Sequence, residues 1–302
     1  VAYSGEIDKQ KQAADIMTRH LDDEGLVLHH VIGPETGHKY HPAAKAEIDE
    51  RLNAAASNGR NPVPARVRLL TQTLRYNRQA WVQVDGLEAH WQPARVEARL
   101  ASNERVEVTT GNVSRLVLSM PSGLCPLRPE GNPTVVIDGD ELPGARVRTD
   151  RSWEALFVNS LGRWRAVGRF EFAGLAKRPG LQGPIDDAFL DRFLFVQPTG
   201  RPMNAALGQW VQREMDDAIL QWHRQFRGRV PVMKDKHLAE NDLRQNLILW
   251  GDPQSNALIK KIVGHLPISW TERGIRLKDK TWHADTFVPV LIYPNPFDLR
   301  HY

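Results

Sequence analysis

Between residues 65 and 172 the chain consists of short runs in which apolar and polar residues alternate, and this limits that region to a fold made of sheets. Alternation with a period of two is typical of strands that have one buried face. Turn-forming pairs such as Asp85-Gly86 and Asp138-Gly139 separate the runs. Several strands at this spacing predict a β-sandwich. The predicted strands are residues 74–84, 94–100, 105–110, 115–119, 134–137, 153–158 and 164–170.

Strand and helix patterns alternate on both sides of this region, which predicts α/β layers there with largely parallel sheets. At the front, helices are predicted at 9–23 and 42–54, with an apolar strand at 26–32 between them. The rear is predicted to be a small, Rossmann-like α/β layer. Its predicted elements are strands at 193–196, 246–250 and 288–293, a long helix at 205–226 and a helix ending at 263.

Two segments rich in turn formers mark the domain boundaries. One is residues 57–64, and the other is the Gly- and Pro-rich stretch at 174–184. The predicted domains are therefore an α/β segment at 1–60, a β-sandwich at 61–175 and an α/β domain at 176–302. Because the sequence starts within a predicted strand and stops soon after Pro296, we expect both ends to be cut and the last domain to be truncated.

Composition excludes several classes of protein. The chain is 41% hydrophobic and 25% charged, with a net charge of +4. No apolar run approaches the roughly 18 residues of a membrane helix, and no signal peptide is visible. Several arginines lie between residues 146 and 169, but no nucleic-acid-binding motif occurs with them. We therefore predict that these arginines lie on solvent-exposed strand faces and that the protein has no nucleic-acid partner. The single cysteine, Cys125, is predicted to be a small buried hydrophobe.

Four tryptophans of the predicted sandwich leave two interpretations open. A row of exposed indole rings would make a platform for stacking carbohydrate, whereas buried rings would fill the core, which is the commoner use of large aromatic side chains. The four are Trp81, Trp91, Trp153 and Trp164.

Asp8 and His38 are the candidate catalytic residues. Asp8 follows an apolar run and a glycine, and His38 follows the next predicted strand and another glycine. An α/β-hydrolase sheet ends in this order: strand, acid loop, helix, strand and histidine loop. Its triad residues follow one another along the chain as Ser, Asp and His. The alternatives are that Asp8 is only a helix N-cap and that His38 is a surface histidine without a function. Glu6 is a second candidate for the acid, although it should point to the opposite strand face.

The sequence gives weaker support for a metal site and for a phosphate-binding loop. A metal site would use a group of histidines, but no metal-binding motif links them, and we predict neither metal nor cofactor. The turn at 251–256 lacks the glycines and lysine of a phosphate-binding loop, so we predict a strand-to-helix turn in which Asp252 or Ser255 caps the helix. The histidines of the group are His29, His30, His38 and His41.

The first 52 residues resemble the C-terminal end of the catalytic domain in prolyl oligopeptidase-family α/β-hydrolases. The remainder resembles the C-terminal extension of large, often secreted bacterial members of that family. The resemblance is carried by Tyr3-Ser4-Gly5-Glu6-Ile7-Asp8, Gly37-His38-Lys39-Tyr40-His41-Pro42, Gly180-Leu181-Gln182-Gly183-Pro184-Ile185-Asp186-Asp187-Ala188-Phe189, residues 246–256 and Val290-Leu291-Ile292-Tyr293-Pro294-Asn295-Pro296.

The resemblance implies a serine hydrolase of peptide or ester bonds, in which Asp8 and His38 are the acid and the base, and a secreted or periplasmic location. The sequence contains no G-x-S-x-G motif, so we expect the chain to be inactive alone. A module that binds carbohydrate or a partner is one alternative, and a glycosidase with two carboxylates about 5 to 10 Å apart is another. An open sheet edge would also allow a homo-oligomer.

Overall fold

A computed structural model describes residues 1–172 and 174–302. Helices make up 24% of it and strands 30%, which confirms the prediction of a mixed α/β and β-rich chain. Two compact units are present, Val1–Pro62 and Val63–Tyr302, and each is described by itself. The finer division of the second unit at residue 175 stays a prediction. No helix in the described residues is long and apolar enough to cross a membrane.

The first unit contains two short parallel strands and two helices. Its elements are β1 (Ala2–Gly5), α1 (Lys11–Asp23), β2 (His30–Gly33) and α2 (Pro42–Asn58). Strand β1 pairs along its full length with β2, from Ala2 opposite His30 to Gly5 opposite Gly33. The predicted strand at 26–32 is wrong over its first four residues, because β1 offers only four residues to pair with and Val27 is 92% exposed.

Residues 63–172 of the second unit form two sheets. Within the described residues each sheet has five strands, in the orders β10-β9-β7-β6-β3 and β12-β11-β8-β5-β4. Neighbouring strands are antiparallel except β7 and β9, which are parallel. In chain order the strands are β3 (Arg66–Thr71), β4 (Arg78–Gln79), β5 (Val82–Leu87), β6 (Ala94–Leu100), β7 (Arg105–Gly111), β8 (Val113–Met120), β9 (Thr134–Ile137), β10 (Asp140–Pro143), β11 (Trp153–Ser160) and β12 (Arg163–Val167).

Alternating side chains from both sheets meet in one hydrophobic cluster. Trp81, Trp153 and Phe157 are its largest fully buried members, and Cys125 is buried in it as predicted. Sequence patterns missed β3 and β10. The single strand predicted at 74–84 covers β4 and the first three residues of β5, but its residues 74–77 and 80–81 form no strand. Leu74 is fully buried without being in a strand, so its apolar character alone did not predict its backbone conformation.

Residues 193–262 form a three-stranded parallel sheet with two helices. The elements are β13 (Phe193–Gln197), α3 (Ala205–Phe226), β14 (Val232–Lys234), β15 (Asn246–Leu249) and α4 (Ala257–Ile262). The sheet order is β14-β13-β15, so β13 is central. Its first four residues are all buried, as expected for a parallel strand covered on both faces. Asn204 caps α3 by accepting hydrogen bonds from the backbone N–H groups of Ala206 and Leu207.

The remaining strands form a small antiparallel sheet that the sequence patterns did not predict. Its strands are β16 (Ser269–Trp270), β17 (Gly274–Leu277) and β18 (Lys280–His283). Conversely, the strand predicted at 288–293 is wrong, since these residues form no strand. Pro289 has no N–H to donate to a ladder, and Val290 is 73% exposed. An apolar run without a neighbouring strand to pair with does not become one.

Asp187 joins several parts of the second unit through a buried polar network. Its carboxylate accepts hydrogen bonds from the Tyr302 hydroxyl and from Arg75, whose guanidinium Nη1 lies 3.4 Å away. Gln182 accepts a hydrogen bond from the Leu74 N–H at 2.6 Å and donates one to Thr73. The network therefore links the loop after β3 to residues 182–187 and to Tyr302.

Candidate active site

The two loops that follow β1 and β2 lie side by side because the strands are parallel. Backbone hydrogen bonds continue past the ends of the strands, from Glu6 N to Gly33 O at 2.9 Å and from Ile7 N to Thr36 O at 3.2 Å. The carboxyl ends of parallel strands are the usual position of ligand sites in α/β sheets. The first unit therefore brings the loop of Asp8 next to the loop of His38.

Gly5 permits this close approach. A Cβ atom at Gly5 would lie 2.1 Å from the carbonyl oxygen of Thr36 and 2.2 Å from that of Gly37. Both distances are far below van der Waals contact, so any side chain there would push the histidine loop away. The sequence shows a glycine before Asp8, but it gives no sign of this contact with the second loop.

Asp8 and His38 form a hydrogen bond. The Nδ1 atom of His38 lies 2.9 Å from Oδ2 of Asp8. The Asp8 side chain is 12% exposed, whereas the His38 side chain is 78% exposed. No described residue forms a hydrogen bond with Nε2 of His38 in this structure. The pair thus has a shielded acid and a largely exposed imidazole.

Asp8 is held by the backbone as well as by the histidine. Its Oδ1 accepts a hydrogen bond from Gln10 N at 2.9 Å. Gln10, rather than Asp8, occupies the assigned N-cap position of α1, which begins at Lys11, and the Asp8 carboxylate accepts from the Gln10 N–H in the turn that leads into the helix. The Gln10 N–H and, second, the His38 side chain lower the pKa of Asp8 below its ordinary value of 3.8. Asp8 is therefore ionised at neutral pH.

This arrangement selects one tautomer of a neutral His38. An ionised carboxylate can only accept hydrogen bonds, so Nδ1 must carry the proton that it shares with Asp8. The lone pair of a neutral imidazole is then at Nε2. Nε2 is free to accept a proton, as a general base requires.

Tyr3 anchors the loop that carries His38, and the sequence patterns did not identify it. Its hydroxyl donates to Lys39 O at 2.8 Å and accepts from His41 N at 2.9 Å. A Cβ at Gly33 would lie 2.3 Å from this hydroxyl, so Gly33 makes room for it. Tyr3 stood within the segment that carried the family resemblance, but only the structure gives it this role.

Glu6 does not take the acid position. Its Oε2 accepts a hydrogen bond from Glu35 N at 2.8 Å, and Glu35 has a positive φ of 47°. The Glu6 side chain therefore supports the start of the histidine loop. Asp8 is the acid that the structure brings to His38.

The histidine-rich segment contains no metal site among the residues described. No group of three or more His, Cys, Asp or Glu side chains there is placed to hold an ion. His29 contacts Glu47 through Nε2 at 2.9 Å, while His38 contacts Asp8. The histidines that are close in sequence thus point to separate partners.

Three of the four tryptophans cannot form a carbohydrate platform. Trp81, Trp153 and Trp164 are between 0% and 5% exposed and belong to the hydrophobic cluster. Trp81 Nε1 also donates to Pro64 O at 2.8 Å. Only Trp91, at 45% exposed, presents a ring to solvent.

The turn after β15 differs from its prediction. Asn256, rather than Asp252 or Ser255, is the N-cap of α4, and it accepts from Leu258 N and Ile259 N. Asp252 instead binds backbone N–H groups with both oxygens. Oδ1 accepts from residues 254 and 255, and Oδ2 accepts from Met203 N at 3.0 Å. Asp252 therefore ties this turn to the loop after β13.

No protein-family model, functionally described protein or solved structure matches this chain. The relationship to prolyl oligopeptidases stays a resemblance carried by the residues named above. The geometry of Asp8, His38 and their two loops in the first unit is evidence that does not depend on this resemblance.

Proposed function

We propose that this chain is the C-terminal portion of a serine hydrolase of the prolyl oligopeptidase type, acting on peptide or ester bonds. The observation that carries the proposal is the 2.9 Å hydrogen bond between His38 Nδ1 and Asp8 Oδ2, formed by loops that follow two parallel strands. The nucleophilic serine would come from a segment outside these 302 residues, because the sequence contains no G-x-S-x-G motif. No cofactor is required.

In such an enzyme the two residues have separate tasks. Nε2 of His38 would take the proton of the serine hydroxyl during attack on the carbonyl carbon, and would later give it to the leaving group. Asp8 would keep the imidazole in the required tautomer and stabilise the imidazolium. The low pKa of Asp8 fits this task, since the carboxylate stays ionised through the cycle.

The incompleteness of the first unit also supports the proposal. Its sheet has two strands in the described residues, whereas parallel sheets normally have more strands and cover both faces. Its buried apolar side chains are small in number: Ala14, Val31 and Ala44. Ile7 and Ile32 are 70% and 44% exposed. Further strands that bury these side chains would be the natural carriers of the serine and the oxyanion hole.

We also infer finer folds for the second unit. The buried cluster shared by two five-stranded sheets supports a β-sandwich at 63–172. The parallel order β14-β13-β15 with α3 and α4 supports a small Rossmann-like layer. The secreted or periplasmic location and a homo-oligomeric state follow from the resemblance and from the open sheet edges, and they stay proposals.

The glycosidase alternative receives no support from the adjacent carboxylates Asp186 and Asp187. Asp187 is only 4% exposed, and its oxygens are occupied by Tyr302 and Arg75. Asp186 lies beside it in a short 3₁₀ helix, Ile185–Phe189. A buried carboxylate with these partners supports the fold rather than cleavage of a sugar.

The test uses a fluorophosphonate probe, which labels activated serines. The chain alone is expected to give neither labelling nor ester turnover. The reading frame extended upstream is expected to give both. In the extended protein, Asp8→Asn and His38→Ala should each lower kcat by about 10³- to 10⁴-fold, while Glu6→Gln should leave kcat nearly unchanged. An upstream frame without a G-x-S-x-G motif, or full activity in His38→Ala, would overturn the proposal.

A further inference from the structure

A second candidate site lies at the carboxyl ends of β13 and β15. The chain passes from β13 through α3 to β14 on one side, and β15 lies on the other side of β13. The helix after β13, α3, packs on the face of β13 that carries Phe193 and Phe195, whereas α4, which follows β15, packs on the opposite face. This is a topological switch point, where open α/β sheets place their ligand crevice.

A cleft of about 170 Å³ occupies this position. Its floor is formed by the two loops and by the first turns of α3, and its wall by Trp270 and Phe287. Phe287 is 51% exposed, although it is a large apolar side chain. The cleft thus combines two loops and the start of α3 with two aromatic side chains, one of which is half exposed.

The floor is preformed by close contacts between the loops. A Cβ at Gly200 would lie 2.5 Å from Gln254 O, and a Cβ at Gly251 would lie 2.6 Å from the hydroxyl of Ser255. Gly200 N and Thr199 N both donate to Ser255 O, at 2.8 and 3.1 Å. Because the loops are already tied together, a ligand would not have to order them.

The polar lining indicates which chemical class would bind. Asn204, Gln212 and Asp252 line the cleft, and no lysine, arginine or histidine does so in the described residues. Oδ1 of Asn204 caps α3, which leaves the amide N–H groups of Asn204 as donors. Nε2 of Gln212 donates to Asp216 at 3.0 Å, which leaves the carbonyl oxygen of Gln212 as an acceptor. Amide and carboxylate groups suit hydroxyl groups, which both donate and accept. The carboxylate of Asp252 and the absence of a cation disfavour a phosphate or carboxylate ligand.

We infer that this cleft binds a neutral, hydroxyl-rich ring, namely one sugar residue of a carbohydrate. The apolar face of the ring would stack on Phe287 and Trp270, and its hydroxyls would accept from the Asn204 amide and donate to the carbonyl oxygen of Gln212. The volume suits a single ring rather than an oligosaccharide. This site is independent of the proposed hydrolysis, so binding here can be tested without a catalytic readout.

The test is calorimetric titration of the 302-residue chain with glucose, galactose, mannose, xylose and N-acetylglucosamine, with AMP and inorganic phosphate as charged comparators. We expect at least one sugar to bind saturably and neither comparator to bind. Phe287→Ala should raise Kd about three- to tenfold, the value of one aromatic contact. Val211→Trp, which fills the cleft, should abolish binding.

Trp210→Ala provides the matched control. Trp210 lies on α3 beside lining residues and is 38% exposed, but it does not line the cleft. Its removal should leave Kd unchanged, and circular dichroism should show all three variants folded. The inference is overturned if no sugar binds, if AMP or phosphate binds in the sugar's place, or if Phe287→Ala and Val211→Trp bind as the unchanged chain does.

Discussion

The Tyr3 hydroxyl accepts a hydrogen bond from His41 N at 2.9 Å, and it also donates to Lys39 O at 2.8 Å. One side chain from the first strand thereby holds the backbone immediately after His38. The position of the candidate base thus depends on a residue 35 positions earlier in the chain. A shift of about 1 Å in such a group can cost two orders of magnitude in rate.

Tyr3→Phe should loosen this loop without unfolding the chain. The variant loses two hydrogen bonds, each worth about 0.5–1.5 kcal/mol, and leaves the aromatic ring in place. Hydrogen exchange should show faster exchange at His41 N and through residues 36–41. Tyr40→Phe is the control, since the Tyr40 side chain is exposed. Equal protection in Tyr3→Phe and the unchanged chain would contradict the anchoring role.

Gly5→Ala should disrupt the contact between the two loops. The added methyl would overlap Thr36 O and Gly37 O, and overpacking of this kind costs about 1–3 kcal/mol. Gly37→Ala is the matched control, because nothing lies within 4 Å of a Cβ there. All nine tryptophans lie in the second unit, so their fluorescence would miss the change. Hydrogen exchange over residues 1–62 is the appropriate measurement, and equal effects of the two variants would refute the prediction.

The acid titration of Asp8 should show which contact lowers its pKa most. Because the pKa in the folded state lies below the ordinary value of 3.8, the ionised carboxylate stabilises the fold above that pH. This stabilisation is lost as the pH falls through the lower, folded-state pKa. His38→Ala should raise the pKa of Asp8 only partway, since the larger cause is the Gln10 N–H. A carbon-13 NMR titration of Asp8 checks this, and a complete return to 3.8 would show that His38 is the main cause.

Tyr302→Phe should destabilise the second unit. The Tyr302 hydroxyl donates to Asp187 and accepts from Gly183 N at 2.8 Å. Burial and, second, the Asp187 carboxylate raise the pKa of Tyr302, so the hydroxyl stays protonated at neutral pH and remains a donor. Loss of a donor to a buried carboxylate costs about 1–3 kcal/mol.

Urea unfolding followed by tryptophan fluorescence reports on the second unit alone and measures this loss. Tyr293→Phe serves as the control, because its hydroxyl makes no hydrogen bond to Asp187. If both variants unfold at the same urea concentration as the unchanged chain, the Asp187 network does not stabilise the unit.

Local sequence determined the elements whose signals lie within a few residues. The helix predicted at 205–226 has those bounds in the structure, because Asn204 supplies a cap and the apolar residues repeat at helical spacing. The strands at 94–100 and 134–137 also have their predicted bounds. Alternation along a strand is a local property, and it survives into the fold when a partner strand is present.

Tertiary structure decided which apolar runs became strands and what surrounds the candidate pair. The runs at 26–29 and 288–293 form no strand, because the sheet offers them no partner, and hydrogen bonding between strands is not encoded in one segment. The sequence identified Asp8 and His38 by type and order. The 2.9 Å distance between His38 Nδ1 and Asp8 Oδ2 depends on the parallel register of β1 and β2, on the absence of a side chain at Gly5 and on the Tyr3 hydroxyl. These are contacts between residues about 30 to 40 positions apart, and only the folded chain brings them together.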